Sequence, residues 1–343
     1  MSILTYKVKH GQDFSVQLLQ AKRLAEFAIQ NRQCRSSKDV RQFGLPSAIS
    51  NQVLRKYGRN KKAKSASRVN LCVPGQSIKF QGKSVKIHCL GLELQFDCLV
   101  EKVLQAEISK DFVHLSCQVK DADPIQPTGW IGIDRNSTGH LVVAALPDGK
   151  VLKFGARACH ISKKYRAIRR MLQKKGKTRR LRKIRRRESN IVRDINHKVS
   201  SDILKLARKN QWGVKLECLK GIRQTAKQRR SPKTDKQKKD KAVLHSWPFH
   251  QFGTFVEYKA KLLGIPLAHV DPRYTSKGCA RCGLLGTRVK KQFKCPHCGH
   301  VEHADANAAF NIALRPVRDS VTQSVGEWVP TEGSSDSPQW ATA

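Results

Sequence analysis

The sequence predicts an α/β core interrupted by a four-cysteine ribbon, preceded by a β-rich domain that carries a small helical subdomain. Three observations predict it. From Gly129 onward, short apolar strands alternate with helical segments, the pattern of an α/β core. Two Cys-x-x-Cys pairs, Cys279/Cys282 and Cys295/Cys298, stand twelve residues apart. Over residues 70–118 the apolar period shortens to that of strands, and a helical stretch lies ahead of it.

In chain order, residues 3–9 (ILTYKVK) read as a strand. Residues 13–31 have helical apolar spacing at Val16, Leu18, Leu19, Leu24, Phe27 and Ala28. A second helix is expected over 47–57, followed by a basic turn at 58–64. Four β-rich segments then form a small antiparallel barrel or sheet. The expected layout is a β-rich domain over 1–10 and 66–122, with a helical subdomain over 11–65. A polar, proline-containing linker follows at 121–128.

The core begins with the apolar strand GWIGIDRN, which ends in Asp134, and continues with two strands at hairpin spacing, HLVVAALP and KVLKFGA. A long helical region over 158–210 breaks near 175–177. The strand WGVKLECL ends at Glu217, and a charged loop covers 220–246. A helix over 247–263, a strand over 265–271 and a helix opening at ADANAAFNIALR (304–315) complete it. The core thus spans 129–273 and 301–315, with the ribbon inserted at 274–300. Residues 316–343 are rich in Ser, Gly and Pro, as expected of a disordered tail.

The chain carries 67 Lys and Arg against 26 Asp and Glu, a formal net charge of +41. Such a charge repels itself unless a polyanion neutralises it, and nucleic acid is the polyanion it fits. A membrane-surface protein would need large apolar anchors, whereas aromatic residues make up only 6%. No run of about 18 apolar residues exists, so no membrane span is expected. Residues 1–11 do not resemble a signal peptide, so the cysteines are expected in a reducing, cytoplasmic compartment, associated with the nucleoid through nucleic acid. Cys34, Cys72, Cys89, Cys98, Cys117, Cys159 and Cys218 are scattered and read as small buried hydrophobes.

Basic charge is concentrated. Residues 157–187 hold sixteen Lys or Arg and no acid. Like charges at i,i+4 spacing destabilise a helix, so a polyanion groove explains this segment better than a solvated face. Residues 220–241 are similarly basic and are expected to order on nucleic acid.

Two constellations carry chemistry. Each Cys-x-x-Cys turn aims two thiolates at one ion, and the four thiolates of Cys279, Cys282, Cys295 and Cys298 complete a closed tetrahedral Zn²⁺ site. With no open coordination position, that zinc is structural; a pair of redox dithiols is the alternative. The second constellation is Asp134, Glu217 and Asp305, acids at the ends of two apolar strands and at the start of a helix. Any one of them alone is an ordinary strand-end acid. Their order, strand with Asp, strand with Glu, helix with Asp, is that of an RNase H-type core. Three acids meeting at one place are tolerable only with divalent cations between them, which is the arrangement of two Mg²⁺ ions in phosphodiester hydrolysis.

Together GIDRN (132–136), LEC around Glu217, TSKGCARCG (275–283), CPHCG (295–299) and ADANAAFNIA (304–313) resemble the TnpB family. These are transposon-encoded, RNA-guided endonucleases related to compact type V CRISPR effectors. The resemblance covers residues 129–315 and is carried most specifically by a zinc ribbon placed just before the D-x-N-A-A-x-N-I helix. Over 1–122 only the layout resembles the family's wedge and recognition parts. The resemblance implies an RNase H-like (RuvC) core whose catalytic acids are Asp134, Glu217 and Asp305, and zinc ligands at Cys279, Cys282, Cys295 and Cys298. It implies a guide RNA and a double-stranded DNA target as partners, with a short adjacent motif beside the target; the sequence leaves monomer and dimer open. Arg135 and Asn136 follow Asp134 where many relatives place a glycine, and Asn307 and Asn311 read as structural. A guide-independent nuclease or transposase on the same fold, and a non-cleaving RNA-guided DNA-binding repressor, are the alternatives.

Overall fold

The computed structural model describes residues 1–136, 139–219 and 249–317. The basic loop expected over 220–246 and the tail from residue 318 lie outside the described residues. The chain divides into two compact units, Met1–Asp121 and Ala122 onward.

The first unit opens with β1 (Ser2–Lys9), α1 (Ser15–Gln30) and α2 (Ser47–Val53). Five strands follow closely: β2 (Leu71–Pro74), β3 (Lys79–Gln81), β4 (Ser84–Ile87), β5 (Leu92–Gln95) and β6 (Lys102–Ile108). β7 (Phe112–Val119) closes the unit. The strands form two antiparallel sheets, β1-β7-β6-β2 and β3-β4-β5. The larger is open, with β1 and β2 as its edges. Strict alternation of burial along β7 shows why the segment is a strand: one face joins the core and the other does not. The buried stripe of α1 runs through Ala21, Leu24, Ala25 and Ala28 at helical spacing. Val16 and Leu19 fall off that stripe and stay exposed, although their apolar character suggested core positions. The second helix continues past Val53 as a single π turn, Leu54–Gly58.

The second unit is built on a five-stranded sheet, β10-β9-β8-β11-β12. Its strands are β8 (Gly129–Arg135), β9 (Val142–Ala145), β10 (Val151–Phe154), β11 (Trp212–Glu217) and β12 (Leu267–Val270). β8, β11 and β12 run parallel, while β9 and β10 form the expected antiparallel hairpin beside β8. The helical region divides into α3 (Ala156–Lys174), α4 (Thr178–Ile184) and α5 (Arg187–Lys209). The break at 175–177 falls where the sequence placed it, and a second break follows at 185–186. The remaining helices are α6 (Phe249–Leu262) and α7 (Ala304–Leu314).

Both faces of the sheet are covered. Ile131, Ile133, Val214 and Leu216 pack against Val199, Ile203 and Leu204 of α5 and Phe252 and Val256 of α6. On the opposite face Val143, Ala145 and Val151 pack against Ala309 and Phe310 of α7. A strand covered on both sides loses the apolar/polar alternation, which is why β8 reads as a nearly continuous apolar run. Inserted before α7, β13 (Thr287–Val289), β14 (Gln292–Lys294) and β15 (Val301–His303) form a three-stranded antiparallel sheet. Among the described residues, no helix is long and apolar enough to cross a membrane.

Candidate functional site

The strands β8 and β11 pair in parallel register, with Ile133 beside Leu216. One step further along each strand stand Asp134 and Glu217, on the face opposite the isoleucine and leucine. On that same face, two residues back along β8, lies Gly132. A Cβ built there would stand 2.1 Å from the carbonyl oxygen of Ala309 and 2.4 Å from the amide nitrogen of Ala313. The missing side chain lets the backbone of α7 rest directly on β8. Helix α7 suits such contact, because the residues it sets over Gly132, Ala309 and Ala313, present little bulk. Asp305, in its first turn, is thereby brought to the strand ends.

The three carboxyls are buried, at 9%, 8% and 3% exposure for Asp134, Glu217 and Asp305. They share an electrostatic field. Burial pushes the Asp134 carboxyl up, and the charges of Glu217 and Asp305 push it further, to about 7. Burial likewise raises Glu217, opposed by a hydrogen bond from Thr275 and by the charges of Arg135 and Arg315.

Each acid has a dedicated partner. Asn136 Nδ2 donates to Asp134 Oδ2 at 2.9 Å. Thr275 Oγ1, itself buried, donates to Glu217 Oε1 at 2.5 Å. Arg135 Nη2 reaches across from β8 to the carbonyl oxygen of Glu217. Arg288 Nη2 donates to Asp305 Oδ1 at 3.0 Å, and the Lys291 ammonium pairs with Oδ2. The imidazole Nδ1 of His303 caps α7 by accepting from the Asp305 amide, 3.3 Å away.

The four cysteines converge. Their Sγ atoms all lie within 4.8 Å of one another. Cys279 and Cys298 stand 3.7 Å apart, and Cys282 and Cys295 3.5 Å. The edge of a tetrahedron with metal–sulfur bonds of about 2.3 Å is about 3.8 Å, so the set fits a thiophilic cation. Burial raises the Cys279 thiol to about 12 despite donation from the amides of Cys282 and Arg281. At Cys295 burial is outweighed by the amides of Cys298 and His297 and the neighbouring thiols, and the group falls to about 7. Amides two and three residues ahead that donate to the first sulfur of each pair are the product of two tight, matching turns. Among the described residues, the three carboxyls do not close to the mutual spacing of the thiols.

Asn307 and Asn311 hold α7 against the first cysteine turn. Asn307 accepts from the Ala280 amide at 2.9 Å and donates to the Gly278 carbonyl at 2.7 Å. Asn311 donates to the carbonyls of Thr275 and Gly278, each at 2.8 Å. The hairpin after Asp134 keeps its pairing despite Arg135 and Asn136, with Asp134 opposite Val143 and the Asn136 amide bonded to the Leu141 carbonyl. Thr275, Arg135, Arg288 and Lys291 had no signal in the sequence as partners of the acids. Gly132 did, since a glycine inside a strand marks a close backbone approach.

Helices α3 and α4 carry the dense basic segment. Fourteen of its sixteen cations are exposed, so the charge forms a surface and is not consumed by internal pairing. Arg169 pairs with Glu188 of α5.

A Cas12f1-like, TNB domain profile matches residues 249–312, the segment that holds α6, the four cysteines and Asp305. An endodeoxyribonuclease, the CRISPR-associated Cas12f1 of Sulfoacidibacillus thermotolerans, is 31% identical over 146 residues, which are 41% of this chain and 31% of that protein. A TnpB-like protein of Methanocaldococcus jannaschii is 33% identical over 127 residues, 37% of this chain and 43% of its own. Another from Aquifex aeolicus is 35% identical over 132 residues, 36% of this chain and 40% of that one. The matches thus span less than half of these relatives. A solved Cas12f1–sgRNA–target DNA complex aligns over 92% of this chain and 99% of its own, at 20% identity and a TM-score of 0.44. By sequence, part of the chain, 36% to 41% of it, is similar to TnpB-like and Cas12f1 proteins.

Proposed function

We propose that the chain is an RNA-guided DNA endonuclease with one RuvC-type site built from Asp134, Glu217 and Asp305. The observation that carries the reading is the shared field of these acids, which come from two adjacent parallel strands and a helix docked on the same face. Three buried carboxyls, two of which press their charge on Asp134, form a poor resting structure and a set of hard oxygen ligands suited to divalent cations. Two Mg²⁺ ions held there would activate the attacking water and stabilise the leaving oxygen.

This chain's own residues supply the rest. Asn136 orients Asp134 through its hydrogen bond, and Thr275 orients Glu217 and favours its charged form against the effect of burial. Arg135 ties the end of β11 to that of β8, so the two strand acids are held as a pair. Arg288 brings positive charge to Asp305 and to Asp134, where it offsets part of the repulsion. Zinc is the ion the four thiols suit, and its role is to hold the ribbon that presents Arg288 and Lys291. The exposed cations of α3 and α4 would bind the backbone of a guide–target duplex without reading its sequence. Kinship with a Cas12f1 endodeoxyribonuclease and with TnpB-like proteins supports the same reading.

The test is purification with native RNA, followed by sequencing of the RNA retained and by cleavage of duplex DNA matching its variable end. Asp134→Ala is expected to retain that RNA and lose all Mg²⁺-dependent cutting. Undiminished cutting by this variant defeats the assignment of the site. Sequence-specific cutting by RNA-free protein defeats the guided reading.

A further inference from the structure

Asp305 is the most buried of the three acids, yet each of its oxygens is engaged by a cation from the ribbon. Arg288 takes Oδ1 and Lys291 takes Oδ2. The two cations are differently placed. Arg288 is 30% exposed, and its charge is felt by Asp134 as well as by Asp305. The Lys291 side chain is 41% exposed, so it borders solvent. The Lys291 backbone, in contrast, is fixed: its carbonyl accepts from the Ala304 amide at 2.8 Å, and the next residue, Gln292, pairs with His303. An anchored backbone beneath a partly exposed lysine side chain returns the ammonium to the same carboxylate oxygen each time it leaves.

We propose that Lys291 is a resident counter-ion of Asp305, which holds the carboxylate oxygen that a divalent cation needs and is displaced toward solvent when the metal binds. The inference rests on the reading of Asp305 as a metal ligand. Without a counter-ion, a fully buried carboxylate beside two others would carry an uncompensated charge. A lysine suits the exchange better than an arginine. Its compact, strongly hydrated charge can leave its one oxygen for water, whereas the Arg288 guanidinium is also anchored through Nε, which donates to the Lys290 carbonyl at 3.2 Å. Arg288 therefore stays and Lys291 moves. The consequence is a tax on metal affinity. A metal that meets Asp305 free for only a tenth of the time binds about tenfold more weakly than the bare site allows.

The experiment is a Mn²⁺ titration of the full-length, zinc-loaded protein, followed by loss of the free-ion electron paramagnetic resonance signal. Wild type is compared with Lys291→Met, Lys291→Gln, Lys294→Met and Asp305→Asn. Lys294 is an exposed residue of the same hairpin, so its replacement removes the same unit of charge. Both Lys291 variants are expected to bind Mn²⁺ about tenfold tighter, with Lys294→Met unchanged from wild type and Asp305→Asn weakened. The proposal is overturned if the Lys291 variants match or fall below wild type at a site that Asp305→Asn abolishes; the metal-site reading then survives. It is also overturned if Lys294→Met tightens binding equally, since net charge alone would then be the cause. Binding indifferent to Asp305→Asn overturns both the proposal and the reading beneath it. Equal zinc content and equal circular dichroism across the set establish that each variant is folded.

Discussion

Gly132 lies directly beneath Ala309, with the helix carbonyl 2.1 Å from where a Cβ would stand. No side chain fits without lifting α7 from the sheet, and α7 carries Asp305. Gly132→Ala is expected to destabilise the protein by about 3 kcal/mol or more, since overpacking against backbone leaves no rotamer to relax into. Gly132→Val is expected to be worse. Thermal melts measure the loss. If Gly132→Ala melts with wild type, α7 does not rest on β8 as described.

The field at Asp134 makes the metal-free protein sensitive to pH. A carboxyl raised to about 7 in the folded state keeps its proton where the unfolded chain, near 3.8, has lost it. Below the lower value both states are protonated and there is no penalty. Stability then falls as pH rises through the interval, and above the upper value the loss is complete, on the order of 4 kcal/mol. Glu217 is raised too and acts in the same direction. Melting temperature without divalent ions is therefore expected to be higher at pH 5 than at pH 8. Asp134→Asn should flatten the profile, and added Mg²⁺ or Mn²⁺ should recover stability at pH 8. A wild-type melting temperature that rises from pH 5 to pH 8 contradicts a crowded site.

Much of this site was legible in the sequence because its main parts are periodic or closely spaced. Asp134 and Glu217 stand out as acids ending apolar strands, and the cysteine turns are local in sequence. What joins the acids is not local. Thr275 contacts Glu217 across 58 residues, and Arg135 contacts it across 82. Arg288 and Lys291 reach Asp305 only because β14 and β15 fold the ribbon back against the start of α7. A threonine or an arginine in an otherwise basic chain carries no pattern that announces such a partner. The exposed Val16 and Leu19 show the opposite error, where apolar character pointed to burial and the helical phase ruled it out.

The cysteine site and the acid site are mechanically joined. Cys279, Cys295 and Phe293 pack with Ala304, the residue before Asp305. Losing the ion should therefore loosen both the ribbon and the first turn of α7. One equivalent of zinc per chain is expected by elemental mass spectrometry, and Cys295→Ser should lower it. Hydrogen exchange in that variant should accelerate over 279–303 and in the first turn of α7, while β8 and β11 remain protected. Unchanged protection at the start of α7 would show the two sites to be independent.

The hydroxyl of Thr275 separates orientation from charge at Glu217. Its hydrogen bond to Oε1 is buried and favours the ionised carboxylate over the protonated acid. Thr275→Val keeps the shape and removes the donor, and a hydrogen bond to a charged group contributes about 1.5–3 kcal/mol. Cleavage at pH 7 should therefore fall by about tenfold or more. Loss of the donor also raises Glu217 further, so the acidic limb of the pH–rate profile should move to higher pH. Thr275→Ser retains the hydroxyl and is expected to restore both rate and profile. A purely packing role for Thr275 would lower the rate in the serine variant as well, and would leave the acidic limb where it stands in wild type.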